Sequence, residues 1–222
     1  MKHTEKELQA LKEEVSQMWK LVLSQLEKTK QAFLNNDIEQ AREVASREKR
    51  VNAFELKIDS DCENYIALYS PVAIDLRLVL SLIKISNTLE RIGDFAEGIS
   101  RHVIEDDCNN IPSQVIEELQ LEKMFDTLIF MLSNSYVALE SENTRISGKI
   151  LAKDDEIDTL YHKSFDILTQ HMQEAPMFIR NGLKLFLLIR KLERIGDHCS
   201  NIVEEIVFYV DAKVLKHGGD KK

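Results

Sequence analysis

Glu90-Arg91-Ile92-Gly93-Asp94 recurs, residue for residue, as Glu193-Arg194-Ile195-Gly196-Asp197, 103 residues further along the chain. The likeness spreads outward from these strings. Upstream, Glu48 and Val51-Asn52 answer Asp154 and Ile157-Asp158 at an offset of 106 residues, so the connection before the repeated string is three residues longer in the first copy. Self-similarity on this scale means one supersecondary unit written twice.

Each unit reads as three helices. Leu8, Leu11, Val15, Met18, Val22, Leu26, Thr29 and Phe33 alternate steps of three and four, the spacing of one buried helix face. Asp37 is placed to cap a second helix whose face runs Ala41, Val44, Glu48, Val51, Glu55, Ile58, Cys62, Tyr65 and Tyr69, before Pro71 closes it. A third helix, Ala73 to Glu105, carries an apolar face (Ile85, Leu89, Ile92, Ala96, Ile99, Val103) and a second face that turns acidic (Asn87, Glu90, Asp94, Glu97). The linker 108–113 contains Pro112, with Ser113 able to cap a fourth helix through Leu121, Phe125, Leu128, Leu132 and Leu139. A fifth holds Ile150, Asp154, Ile157, Tyr161, Phe165, Leu168 and Met172 up to Pro176, and a sixth repeats the two-faced pattern around Ile195 and Asp197. The pattern predicts an all-α chain of six helices in two tandem, pseudo-repeated three-helix bundles, residues 1–109 and 110–222. Short connections make neighbouring helices antiparallel.

Composition agrees. Only 7 glycines and 3 prolines occur in 222 residues and 30% of residues are charged, which suits long amphipathic helices and not a turn-rich β fold. A formal charge of −9 provides no global basic field for nucleic acid or anionic lipid. Apolar runs such as Leu185 to Ile189 fall far short of the roughly 20 residues a membrane span needs, and the polar start leads us to expect no signal peptide. Cys62, Cys108 and Cys199 are odd in number and widely spaced, a pattern for a reducing cytoplasm, and Cys62 and Cys199 stand at core-face positions that suit buried thiols.

The acids carry the chemistry. Four residues along a helix advance 400°, so Glu90 and Asp94, Glu193 and Asp197, and Asp154 and Asp158 each share a face. Glu48 stands between Val44 and Val51, and Asp154 between Ile150 and Ile157, in slots that Leu or Ile would ordinarily fill. Such placement asks for a counter-charge. Arg91, Arg101, Arg190 and Arg194 are one source; a divalent cation held by hard oxygens of two facing helices is the other, with magnesium, manganese, iron, calcium or zinc all suited. Asn52 stands where the second copy has Asp158, so the second bundle is expected to hold metal more firmly. Gly93 and Gly196, each costing about 1 kcal/mol against alanine inside a helix, are expected to allow close helix approach. His198, His162, His171 and Trp19 read as packing or surface residues.

Ser70-Pro71-Val72-Ala73-Ile74-Asp75-Leu76-Arg77, the two Glu-Arg-Ile-Gly-Asp strings and the stretch from Asn201-Ile202 to Val210 together resemble the PhoU family over nearly the whole chain. The resemblance implies two three-helix bundles with E/DxxxD motifs that hold iron, zinc or magnesium. Carried over by residue, the ligands it implies are Glu48, Glu90 and Asp94 in the first bundle, and Asp154, Asp158, Glu193, Asp197 and Asn201 in the second. It also implies a cytoplasmic, homodimeric, non-enzymatic regulator that restrains phosphate uptake through the ATPase subunit of the phosphate ABC transporter and a phosphate-sensing histidine kinase. Two other classes are open: a carboxylate-bridged di-metal oxidase, disfavoured because no helix carries Glu-x-x-His, and a structural helical dimerisation module whose acids form ion pairs.

Overall fold

The computed structural model of the chain describes residues 2–105 and 111–215. Among them are seven α-helices and no strand: α1 (Lys2–Asn35), α2 (Ile38–Tyr69), α3 (Ala73–Glu105), α4 (Ser113–Glu118), α5 (Leu121–Glu140), α6 (Ser147–Glu174) and α7 (Ile179–Asp211). Single 3-10 turns, Thr144–Ile146 and Pro176–Phe178, lead into α6 and α7.

The six long helices expected from the periodicity are all present, and α3 starts and stops at the expected residues. The Asp37 carboxylate accepts the Gln40 amide N–H at 3.0 Å, so it caps α2 as its sequence position predicts. Before Pro71, α2 ends on Ser70 in the left-handed region at φ 46°.

The expected fourth helix needs correction. Pro112, not Ser113, holds the cap position of α4, and no side chain caps it. The helix then breaks at Gln120, where φ is 51°. Leu119 and Leu121 explain the break: both are buried, yet two residues along a continuous helix face about 200° apart. Turning the backbone between them puts both into the core.

Helices α1, α2 and α3 pack on one another, as do α5, α6 and α7, and the two bundles meet through α3 against α7 and α1 against α5. Helix α3 lies antiparallel to α7. Arg77 donates to the Tyr209 carbonyl at 3.2 Å and Lys84 pairs with Glu205 at 2.9 Å, while further along α3 Gly98 faces Lys191.

A single apolar core runs through both bundles. Trp19 is fully buried, and its indole N–H donates to the Leu132 carbonyl at 3.1 Å, tying α1 to α5. Cys62 and Cys199 are free and buried, as read from their positions; burial pushes both thiols up, Cys62 to about 12. Cys108 lies outside the described residues. Phe165 departs from the expected core face of α6: it is 62% exposed and meets Phe186 edge to face.

Candidate metal centre

Two of the long helices bring the first acid group together. Glu48 projects from α2, Glu90 and Asp94 from α3, and one oxygen of each lies within 4.8 Å of the others. Helix periodicity is responsible: Val44, Val51, Ile92 and Ala96 are fully buried, so the acids between and beside them are carried toward the seam of α2 and α3. Gly93 lets that seam close. A Cβ there would stand 3.3 Å from Val51 Cγ1, tighter than most side-chain contacts, and 3.5 Å from Glu48 Oε2, an ordinary contact.

Electrostatics make this group costly without a cation. Both oxygens of Glu48 are buried and neither accepts from a donor; the hydrogen-bonding neighbour is another acid, Asp94. The carboxyl is pushed up to about 8, first by burial and then by Asp94, Glu90 and Glu97. Burial, with Asp94 and Glu55 adding, also holds Glu90 above the ordinary carboxylate range. The arginines supply little of the counter-charge: Arg91 acts on Glu90, but more weakly than burial, Asp94 and Glu55 act against it. Arg101 bonds Glu97 instead, Arg194 lies over the Phe95 ring at 5.1 Å, and among the described residues none of Glu48, Glu90 and Asp94 forms an ion pair.

Of the two counter-charge sources open to the sequence, these residues therefore fit a cation. A buried carboxylate with no donor is what a metal ligand looks like before binding. Three carboxylates supply hard oxygens, and a divalent ion there would offset their mutual repulsion and fasten α2 to α3.

The second half gathers its acids differently. Asp154 and Asp158 of α6 and Asp197 and Asn201 of α7 line one open cleft of about 860 Å³, together with Ser200 and Glu204. Burial, followed by Asp197, Asp158 and Asp154, raises Glu193. Asp154 is already engaged, its Oδ2 accepting from Ser200 Oγ at 2.6 Å. Gly196 allows a close approach here: a Cβ would stand 2.6 Å from Asp154 Oδ1. Among the described residues, the 4.8 Å closeness of three acids is reached in the first half only. Asn52, the residue behind the expectation of firmer binding in the second half, is exposed and stands outside the trio.

The histidines stay out of the acid groups, as their helix positions predict. His198 stacks on Phe95 at 5.6 Å and is pushed down to about 4 by burial and by Arg91 and Arg194. His162 approaches the Asp158 backbone carbonyl, and His171 pairs with Glu118.

Two features were not read from the sequence. Gln25 of α1 is fully buried, both its amide atoms lack partners, and its Oε1 lies 3.5 Å from the same Gly93 position that Glu48 approaches. Its signal was available, a polar residue at core spacing between Val22 and Thr29. The other is a cleft of about 500 Å³ between α3 and α7, lined by Arg101, Lys184, Arg190, Lys191 and Arg194. Its charge is local and opposite to the net charge, and the residues come from distant parts of the chain.

A family model for the PhoU domain matches the chain twice, over residues 15–103 and 121–206. The chain belongs to the PhoU family. It is 34% identical over 215 residues to the phosphate-specific transport system accessory protein PhoU of Edwardsiella tarda, covering 96% of this chain and 87% of that protein. In three dimensions it is similar to PhoU from Pseudomonas aeruginosa, with a TM-score of 0.85 and 27% identity across 94% of this chain and 99% of the other. It is likewise similar to the phosphate transport system regulatory protein PhoU from Streptococcus pneumoniae, with a TM-score of 0.84 and 26% identity across 96% and 100% of the two chains. The PhoU matches begin 106 residues apart and end 103 apart, the same two offsets found for the acids and for the repeated string. Among the described residues no helix is long and apolar enough to cross a membrane.

Proposed function

We propose that this PhoU-family chain is a non-enzymatic regulator of phosphate uptake, restraining the phosphate transporter through its ATPase subunit and a phosphate-sensing histidine kinase, and that cations on its acidic seams set its shape. Kinship over 96% of the chain with a phosphate transport accessory protein supports the first part. The observation that carries the second is Glu48, a carboxylate whose two buried oxygens accept from no donor, beside Glu90 and Asp94.

The ligands of this reading are Glu48, Glu90 and Asp94 in the bundle of residues 1–109, and Asp154, Asp158, Glu193, Asp197 and Asn201 in the bundle of residues 110–222. The chain works in the cytoplasm as a homodimer. Exposed apolar side chains on the α6–α7 hairpin, Phe165, Met177, Leu183 and Leu187, provide contact area for protein partners. Iron, zinc, magnesium and manganese all suit the carboxylate set. An oxidase reading finds no histidine in the trio, and an ion-pair reading finds no cationic partner for Glu48 among the described residues.

The test is phosphate uptake in cells of the source organism with the gene deleted. Uptake at high external phosphate is expected to rise and to fall again on complementation with the wild-type gene, and the purified chain is expected to co-purify with the transporter ATPase. Unchanged uptake together with no co-purification, with or without added divalent ions, would reject the regulator reading.

A further inference from the structure

Gln25 is a core residue of the wrong chemical type. Its side chain has no exposed surface, and neither end of its amide has a hydrogen-bond partner. A primary amide can make four such bonds, and leaving a buried one bare is a standing cost. The fold does not demand it. At the offset of 106 residues that sets Glu48 against Asp154, and that separates the starts of the two PhoU matches, Gln25 corresponds to Met131, which is fully buried and apolar. Likewise, the α5 side chain standing over Gly196 is Leu128, where Gln25 of α1 stands over Gly93.

What surrounds the amide says why it is there. Gln25 Oε1 and Glu48 Oε2 lie at the same distance, 3.5 Å, from the point where a Gly93 Cβ would stand. Both are acceptors and cannot satisfy each other. Something that attracts oxygen from both sides would. We infer that Gln25 belongs to the first-half cation site as a neutral oxygen donor delivered from α1, and that it compensates for the acid missing at Asn52.

This inference rests on the reading of Glu48, Glu90 and Asp94 as a cation site and deepens it. The site is then built from three helices, with three carboxylates and one carboxamide. A carboxamide oxygen is a hard, uncharged ligand of the kind that suits Mg²⁺, Mn²⁺ or Ca²⁺. It adds coordination without adding repulsion to a group already crowded with negative charge. The two halves, alike in backbone, thereby differ in chemistry: four acids and an open cleft in the second, a tighter and less charged group in the first.

The test uses the full chain with the second-half acids neutralised by Asp154→Asn and Asp197→Asn, so that the first site is read alone. Mn²⁺ and Mg²⁺ are titrated by calorimetry, and the chelated protein is melted alongside. Gln25→Met keeps the side chain's length, copies Met131, and removes both polar atoms. Its ion affinity is expected to fall about 10- to 100-fold, while the chelated protein melts no lower than its parent. Gln25→Glu, which keeps an oxygen in place, is expected to bind at least as tightly as the parent.

Unchanged affinity in Gln25→Met, with affinity lost in Glu48→Gln, would overturn the inference and leave the cation site standing. Equal loss in the Met and Glu variants would mark a packing residue and also overturn it. If the parent protein takes up neither ion, the cation reading itself fails and Gln25 falls with it.

Discussion

Neutralising Glu48 should change how the metal-free protein responds to pH. A carboxyl that titrates at about 8 in the fold and near 4.5 in the unfolded chain binds a proton more tightly when folded. Between those values the folded state therefore holds more protons than the unfolded one, and stability falls as pH rises from about 4.5 through about 8. The full displacement is equivalent to about 5 kcal/mol. Glu48 is only half buried, so solvent screening cuts the expected effect to about 2 kcal/mol. In a chain of this size each kcal/mol moves the melting temperature by roughly 2–4 °C. Chelated wild-type protein should then lose about 4–8 °C more than Glu48→Gln between pH 5 and pH 9 in thermal melts. Adding Mn²⁺ at pH 9 should restore the wild type and leave the variant unmoved. Parallel pH profiles for the two proteins would refute the placement of Glu48 in a desolvated acid group.

Gly196→Ala should destabilise by about 1–3 kcal/mol, because its Cβ would meet Asp154 Oδ1 at 2.6 Å; denaturant unfolding reads the loss. Gly93→Ala, whose nearest neighbour is Val51 Cγ1 at 3.3 Å, should cost less in the same assay. The double variant Asp154→Ala with Asp197→Ala should abolish ion uptake by the second bundle while circular dichroism shows the helices retained, since removing like charges relieves repulsion; full metal content would reject these ligands.

Much of the fold was legible because helix packing writes its period into the sequence. Ile85, Leu89, Ile92, Ala96, Ile99 and Val103 were read as one face of α3, and all are buried. The break at Gln120 was not legible. Nothing in the residue types of 113–121 forbids a continuous helix, and only the core, by claiming both Leu119 and Leu121, decides it. Phe165 fits the apolar period of α6 but stays mostly exposed beside Phe186, so spacing alone does not place it.

The acid trio could be read because Glu48 interrupts an apolar face between Val44 and Val51, a local signal that needs no partner to be seen. Gln25 carries the same kind of signal on α1, but Val22, Leu26 and Thr29 complete a helical face without it. Its meaning comes only from Gly93 and Glu48, on two other helices. The closeness of the first-half acids also lies beyond sequence, because it depends on how side chains from two helices converge.

Metal content measured by mass spectrometry, after loading with Mn²⁺ and exhaustive dialysis, is the most direct test of the acid seams. With the second-half acids neutralised by Asp154→Asn and Asp197→Asn, the chain should retain about one ion through its first bundle. Adding Glu48→Gln and Asp94→Asn should remove that ion while the helices remain. A chain that keeps no ion, or keeps as much after those last two substitutions, would contradict the account.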